Sequence, residues 1–105
     1  MADTILVATV NALPGQEDEF EAWYAEHMRE VAAVPGVQPG TRYRVTDVQA
    51  PGAATPTHRY LTVYEIDGDV PEILRELVQR RADGTWTPRR GIDNDTIRMW
   101  AYERC

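Results

Sequence analysis

The apolar positions of this chain switch repeatedly between two periods. Thr4 to Asn11 (TILVATVN) is short, β-branched and apolar on both alternating faces, which predicts a buried strand. Leu13-Pro14-Gly15 then turns the chain, and Glu17, Asp18 and Glu19 load the following turn with the negative charge that a helix N-terminus favours. From there Phe20, Trp23, His27, Val31 and Val34 recur at helical steps, while Glu21, Glu26 and Arg29 fall on other faces. This is an amphipathic helix stopped by Pro35-Gly36. Its apolar face carries a titratable imidazole where a leucine would pack better.

Strand periodicity returns in Thr41 to Val48 (TRYRVTDV), with Tyr43 and Val45 on one face and Arg42 and Arg44 on the other. Gln49 to Thr57 (QAPGAATPT) is a loop. His58 to Ile66 (HRYLTVYEI) is strongly β-forming. A loop joins these two runs directly, so they should pair as a hairpin. Asp69 is placed as an N-cap and Pro71 in the tolerated first turn of a second helix. Ile73, Leu74, Leu77 and Val78 mark its apolar face, and it ends near Arg81. Ala82 to Asp95 is irregular and carries Trp86, Arg89 and Arg90. Thr96 to Arg104 (TIRMWAYER) is the last strand. No repeat or linker interrupts residues 1–105, which read as one domain.

The order β-α-β-β-α-β is the ferredoxin-like α+β arrangement, one four-stranded antiparallel sheet with both helices on one face. The other face should then be polar. It is not. Ile5, Leu6, Val7 and Val10 populate both faces of the first strand, and Tyr60, Leu61, Val63, Tyr64 and Ile66 do so in the third. Leaving large apolar side chains wet forgoes roughly 1.5–3 kcal/mol each. The expected cover is a second copy, sheet against sheet, giving a homodimer.

Composition removes chemistry more than it adds any. At 105 residues the chain has little room for both a large core and a large pocket. A net charge of −6 argues against a nucleic-acid groove or an anionic membrane surface. No apolar run approaches the ~18 residues of a membrane span, and MADTILV lacks the basic start of a signal peptide, so a cytoplasmic protein is expected. The chain has no serine and no lysine, which removes the serine nucleophile, the Schiff-base lysine and the P-loop lysine together. The one cysteine, Cys105, is a poor thiolate candidate. No His/Cys cluster has metal-ligand spacing, so neither a metal nor a tightly bound cofactor is expected. What remains is acid–base work by histidine, tyrosine, carboxylate and arginine.

The stretch EFEAWYAEHMREVAAVPGVQPGTRYRV, followed by HRYLTVYEID, resembles the EthD-like branch of the dimeric α/β-barrel superfamily. The matching positions are Trp23, Tyr24, His27, Pro35, Gly36, Arg42, Tyr43, Tyr60, Leu61, Tyr64 and Glu65, within residues 4–66. Members often have Thr before this His and Pro shortly after; here Glu26 precedes it and Arg29-Glu30 follow Met28. The resemblance implies a sheet-to-sheet dimer with a pocket between sheet and helices, often lined by the helix histidine, taking a small aromatic or carbonyl-bearing ligand. Cofactor-free monooxygenases, cyclases, dehydratases, isomerases and lyases share this architecture, and fold does not choose among them.

His27 is the leading catalytic candidate, since an imidazole can take and return a proton at neutral pH. The plainer use of such a residue is a core histidine bonded to backbone. Tyr60 and Tyr64, the candidate catalytic donors to a developing oxyanion on a carbonyl, point the same way along one strand. They flank a ligand with His27 if that face meets the helices, and are interface packing if it does not. Trp23, Tyr24 and Tyr43 are candidate ligand-binding aromatics, each also able to serve as core. Trp86, in an irregular loop, is a candidate lid or a loop anchor. Arg42 and Arg44 are expected to make ion pairs with the acidic residues of the first helix. The leading reading is a cofactor-independent acid–base enzyme acting on a small aromatic or polyketide-like carbonyl compound. The alternatives are a cofactor-free monooxygenase and a non-catalytic ligand-binding or accessory dimer.

Overall fold

Strands β1 (Thr4–Ala12) and β3 (Tyr60–Ile66), the two that are apolar on both sides, run through the middle of the sheet. The computed structural model describes residues 2–105. Helix α1 (Glu17–Ala32), β2 (Thr41–Arg44), β3 (Tyr60–Ile66), helix α2 (Val70–Ala82) and β4 (Ile92–Glu103) follow in that order. The four strands form one antiparallel sheet in the order β2-β3-β1-β4. This is the ferredoxin-like arrangement read from the sequence.

Register decides what each face carries. Leu6 sits opposite Tyr64, Ala8 opposite Thr62 and Val10 opposite Tyr60, so these side chains share one face. That face meets both helices. Leu6, Tyr64 and Ile66 pack with Val31 and Val34 from the α1 end, and with Ile73 and Leu77 of α2. A second buried cluster joins Val10, Tyr60 and Ile92 to Phe20, Trp23 and Tyr24 of α1. Both helices start as expected: α1 on Glu17, Asp18 and Glu19, and α2 on Asp69, whose carboxylate accepts from Glu72 N at 3.2 Å with Pro71 in the first turn. Arg42 pairs with Glu21 of α1 at 3.1 Å, the kind of partner anticipated for it.

The opposite face carries Ile5, Val7, Leu61 and Val63 in the middle, flanked by Tyr43, Trp100 and Tyr102, each just over half exposed. Its centre is as apolar as the pattern foretold, and no helix or strand among the described residues covers it.

Three boundaries differ from the periodicity. β4 begins at Ile92, not Thr96. The polar run Asp93-Asn94-Asp95 reads as a turn, yet Asn11 pairs with Asp93 and Ala12 with Ile92, across a register shift between Thr9 and Asn11. Such a bulge lets a strand continue while re-aiming its side chains. β2 ends at Arg44 because only Thr41–Arg44 find register partners on β3. β3 begins at Tyr60, not His58, which is half-buried before it with Nε2 2.9 Å from the Thr96 carbonyl.

Candidate functional site

The inward face of α1 builds the site. His27 follows Trp23 by one helical turn, and their rings stack with centroids 4.7 Å apart and planes 18° apart. Tyr24 meets the imidazole edge-on at 6.2 Å. From the other side Trp86, in the segment between α2 and β4, also approaches edge-on, at 5.3 Å. Three aromatic rings thus surround the imidazole. Its Nδ1 is buried and has no hydrogen-bond partner. Burial, assisted by the positive charge of Arg89, pulls its pKa from 6.5 down to about 4. At neutral pH the ring is uncharged and retains one nitrogen that can accept a proton.

Two tyrosines face it from the same buried layer. Tyr24 hydrogen-bonds through its hydroxyl to the Thr62 hydroxyl, and the Arg42 guanidinium lies 5.4 Å from its ring centroid. Burial raises the Tyr24 pKa, against the opposing pull of the Thr62 bond and the Arg42 charge. Tyr64 is raised further by burial and then by Tyr24. Both phenols therefore stay protonated and can donate. Tyr64 makes no side-chain hydrogen bond within the described residues.

These groups line a mostly apolar cavity of about 70 Å³ at the seam between the two core clusters. It is far smaller than the ~300 Å³ at which small-molecule pockets usually begin. Outside it lies a vestibule of about 290 Å³, and Trp23, His27, Arg81, Trp86 and Arg89 line both spaces. The Trp86 segment is pinned to α1: the Glu30 carboxylate accepts from Thr87 N at 2.9 Å and Thr87 Oγ1 at 3.1 Å, and Trp23 Nε1 donates to the Thr87 carbonyl at 3.2 Å. Trp86 Nε1 itself is buried without a partner. The segment rejoins the sheet through Gly91, where φ is +66° and an added Cβ would lie 2.7 Å from Gln16 O and 2.8 Å from Phe20 N.

Of the residues singled out from sequence, the structure brings Trp23, Tyr24, His27, Tyr64 and Trp86 to one cavity. Tyr60 shares their sheet face but lies 4.7 Å from Phe20 in the core and does not line it. Tyr43 projects from the opposite face, 54% exposed. Thr62, Arg81 and Arg89 were not anticipated. Thr62 was findable, since it alternates in phase with Tyr60 and Tyr64. Among the described residues no group of three or more His, Cys, Asp or Glu side chains could hold a metal ion, and no helix is long and apolar enough to cross a membrane.

The fold and the aromatic box place this chain among ferredoxin-like α+β proteins with a cavity between helices and sheet. More particularly, it is similar in fold, over the full length of both chains, to a crystal structure of an ethyl tert-butyl ether D (EthD) family protein from Bacillus halodurans C-125 (TM-score 0.60, 15% identity). The EthD resemblance read from residues 4–66 thus extends, at the level of fold, to the whole chain. No protein-family model and no curated protein matches the sequence.

Proposed function

We propose that this protein is a cofactor-independent acid–base enzyme acting on a small carbonyl compound with an acidic C–H or O–H bond. The observation that carries the reading is the uncharged imidazole of His27, boxed by three rings, with a buried nitrogen that no protein group satisfies. A buried polar atom left without a partner costs stability and calls for an explanation. In this reading His27 removes a proton, Tyr64 donates to the oxygen on which negative charge develops, and Tyr24 assists by donating its own hydrogen while accepting from Thr62. Trp23 and Trp86 wall the site. Tyr60 and Tyr43, also candidates by sequence, would act only through packing.

A base whose conjugate acid ionises near 4 is weak, so the substrate must meet it halfway. Protons on a carbon that lies between a carbonyl and an aromatic ring, or between two carbonyls, suit it, because both neighbours share the developing negative charge. Cyclisation, dehydration, isomerisation and retro-aldol cleavage all begin with that step, as does a cofactor-free oxygenation through a substrate carbanion. The cavity holds only the reacting end of such a molecule, and the vestibule takes the rest. The working unit would be a homodimer, its second copy covering the apolar open face of the sheet.

A non-catalytic ligand-holding dimer is the second reading, and the low basicity of His27 favours it. Exchange of α-hydrogens for deuterium separates the two without knowledge of the full reaction. The benzylic hydrogens of phenylacetone in D₂O, followed by proton NMR, should exchange faster with the protein than without. His27→Gln should remove about 10²-fold or more of that catalysis. Catalysis that survives His27→Gln ends the proposed role of the histidine, and no catalysis in the wild type favours the binding reading.

A further inference from the structure

The vestibule has a charge that the rest of the chain lacks. The protein is acidic overall, with 17 Asp and Glu against 11 Arg. Yet no carboxylate lines the cavity or the vestibule, while Arg81 and Arg89 line both. Their sequence neighbours behave otherwise. Arg80 bridges Glu76 at 2.9 Å, and Arg90 lines a separate depression with Asp18, Glu19 and Glu26. Arg89 donates only to the neutral Asn94 amide, at 3.1 Å, and Arg81 lies with its guanidinium carbon 5.7 Å from the Trp86 ring centroid. Among the described residues neither Arg81 nor Arg89 has a carboxylate partner, and both line the space beside His27.

Uncompensated positive charge beside a cavity attracts anions, and a guanidinium fork matches a carboxylate by two parallel hydrogen bonds. The aromatic wall of Trp23 and Trp86 suits a planar, apolar body. We infer that the ligand of this site is an organic anion, an aromatic or α,β-unsaturated carboxylate carrying a carbonyl group, with its carboxylate in the vestibule on Arg81 and Arg89 and its carbonyl end against His27 and Tyr64. The inference rests on the proposed reading of the cavity but does not need turnover. It also eases one of the two causes of the weak base: burial remains, but a bound carboxylate offsets the smaller contribution, the Arg89 charge that opposes protonation of His27.

Benzoylformate and its methyl ester test it. They share ring and ketone and differ in charge. Trp23 and Trp86 serve as fluorescent reporters, with calorimetry as a second readout. The acid should bind wild-type protein at least about tenfold tighter than the ester, as charge-assisted hydrogen bonds favour. That preference should weaken as NaCl rises, because salt screens charge. In Arg81→Gln/Arg89→Gln the acid should fall to the affinity of the ester, while the ester is unchanged. His27→Gln should keep the preference. Equal binding of acid and ester, or a preference that survives the double substitution, overturns the anionic ligand but leaves the cavity reading intact. Failure of both probes to bind overturns both.

Discussion

The two faces of the sheet both have apolar centres and fail to pack perfectly in different ways. The helix-covered face is closed almost everywhere, with Leu6, Val10, Thr62, Tyr64 and Ile66 buried, and its flaw is internal: a small cavity holding an unsatisfied imidazole. The open face has only a surface depression at one end, beside Ile5, Glu65 and Tyr102. Its flaw is external, in Tyr43, Trp100 and Tyr102 left about half exposed around Ile5, Val7, Leu61 and Val63. A defect inside a core points to a ligand, and a defect spread over a surface points to a partner. One strand alternation thus serves two purposes, and the same four-stranded sheet would be a pocket floor on one side and an interface on the other.

The contrast breaks most decisively at the open face. Val63→Asp places a charge in its centre, and the proposed dimer should then run as a monomer in sedimentation velocity, its melting temperature no longer rising with protein concentration. A wild type that is monomeric at high concentration would remove the reason offered for that face.

A smaller effect belongs to the covered face. The folded-state pKa of His27 lies below its unfolded value, so the unfolded chain binds this proton more readily. The stability held by the neutral ring is complete above pH ~6.5 and is lost as pH falls toward about 4, by up to ~1.4 kcal/mol per pH unit. Chemical denaturation from pH 7 to 4.5 should show that slope, and His27→Gln should flatten it by the same amount. Equal slopes in the two proteins would mean that the imidazole is wetter than its ring contacts indicate.

The smallest effect tests how the cavity is closed. Glu30→Gln weakens the hold on Thr87 but leaves every cavity-lining side chain in place. As an exposed contact it should cost about 1 kcal/mol or less of global stability. Hydrogen exchange confined to residues 84–90 should nonetheless quicken, and unchanged exchange there would show that Trp86 packing alone holds the segment.

The covered face was also the more legible one, up to a point. Helical spacing put Trp23 and His27 on one face of α1, and strand alternation put Tyr60 and Tyr64 on one face of β3. Alternation could not say which face met the helices, because Leu61 and Val63 are as apolar as their neighbours. Nor could it separate Tyr64, at the cavity, from Tyr60, against Phe20, since that depends on where α1 crosses the sheet. The early start of β4 was hidden by Asp93-Asn94-Asp95, whose composition suits a turn and whose strand geometry comes from pairing with β1. Arg81 and Arg89 lie eight positions apart on different elements, and only the return of the chain through Gly91 makes them neighbours.

That return is lopsided. Gly91 is jammed against the start of α1, whereas an added Cβ at Gly84, at the other end of the segment, would touch nothing. Trp86 sits between an end seated on α1 and an end tied to the last turn of α2 by two long backbone bonds, Gly84 N to Arg81 O and Thr85 N to Arg80 O at 3.3 Å each, and is clasped midway by Thr87. The consequence is kinetic. If seating the reacting end of a ligand displaces the Trp86 wall, the association rate should level off with concentration at the opening rate of the segment, and weakening the Thr87 clasp should shorten the residence time.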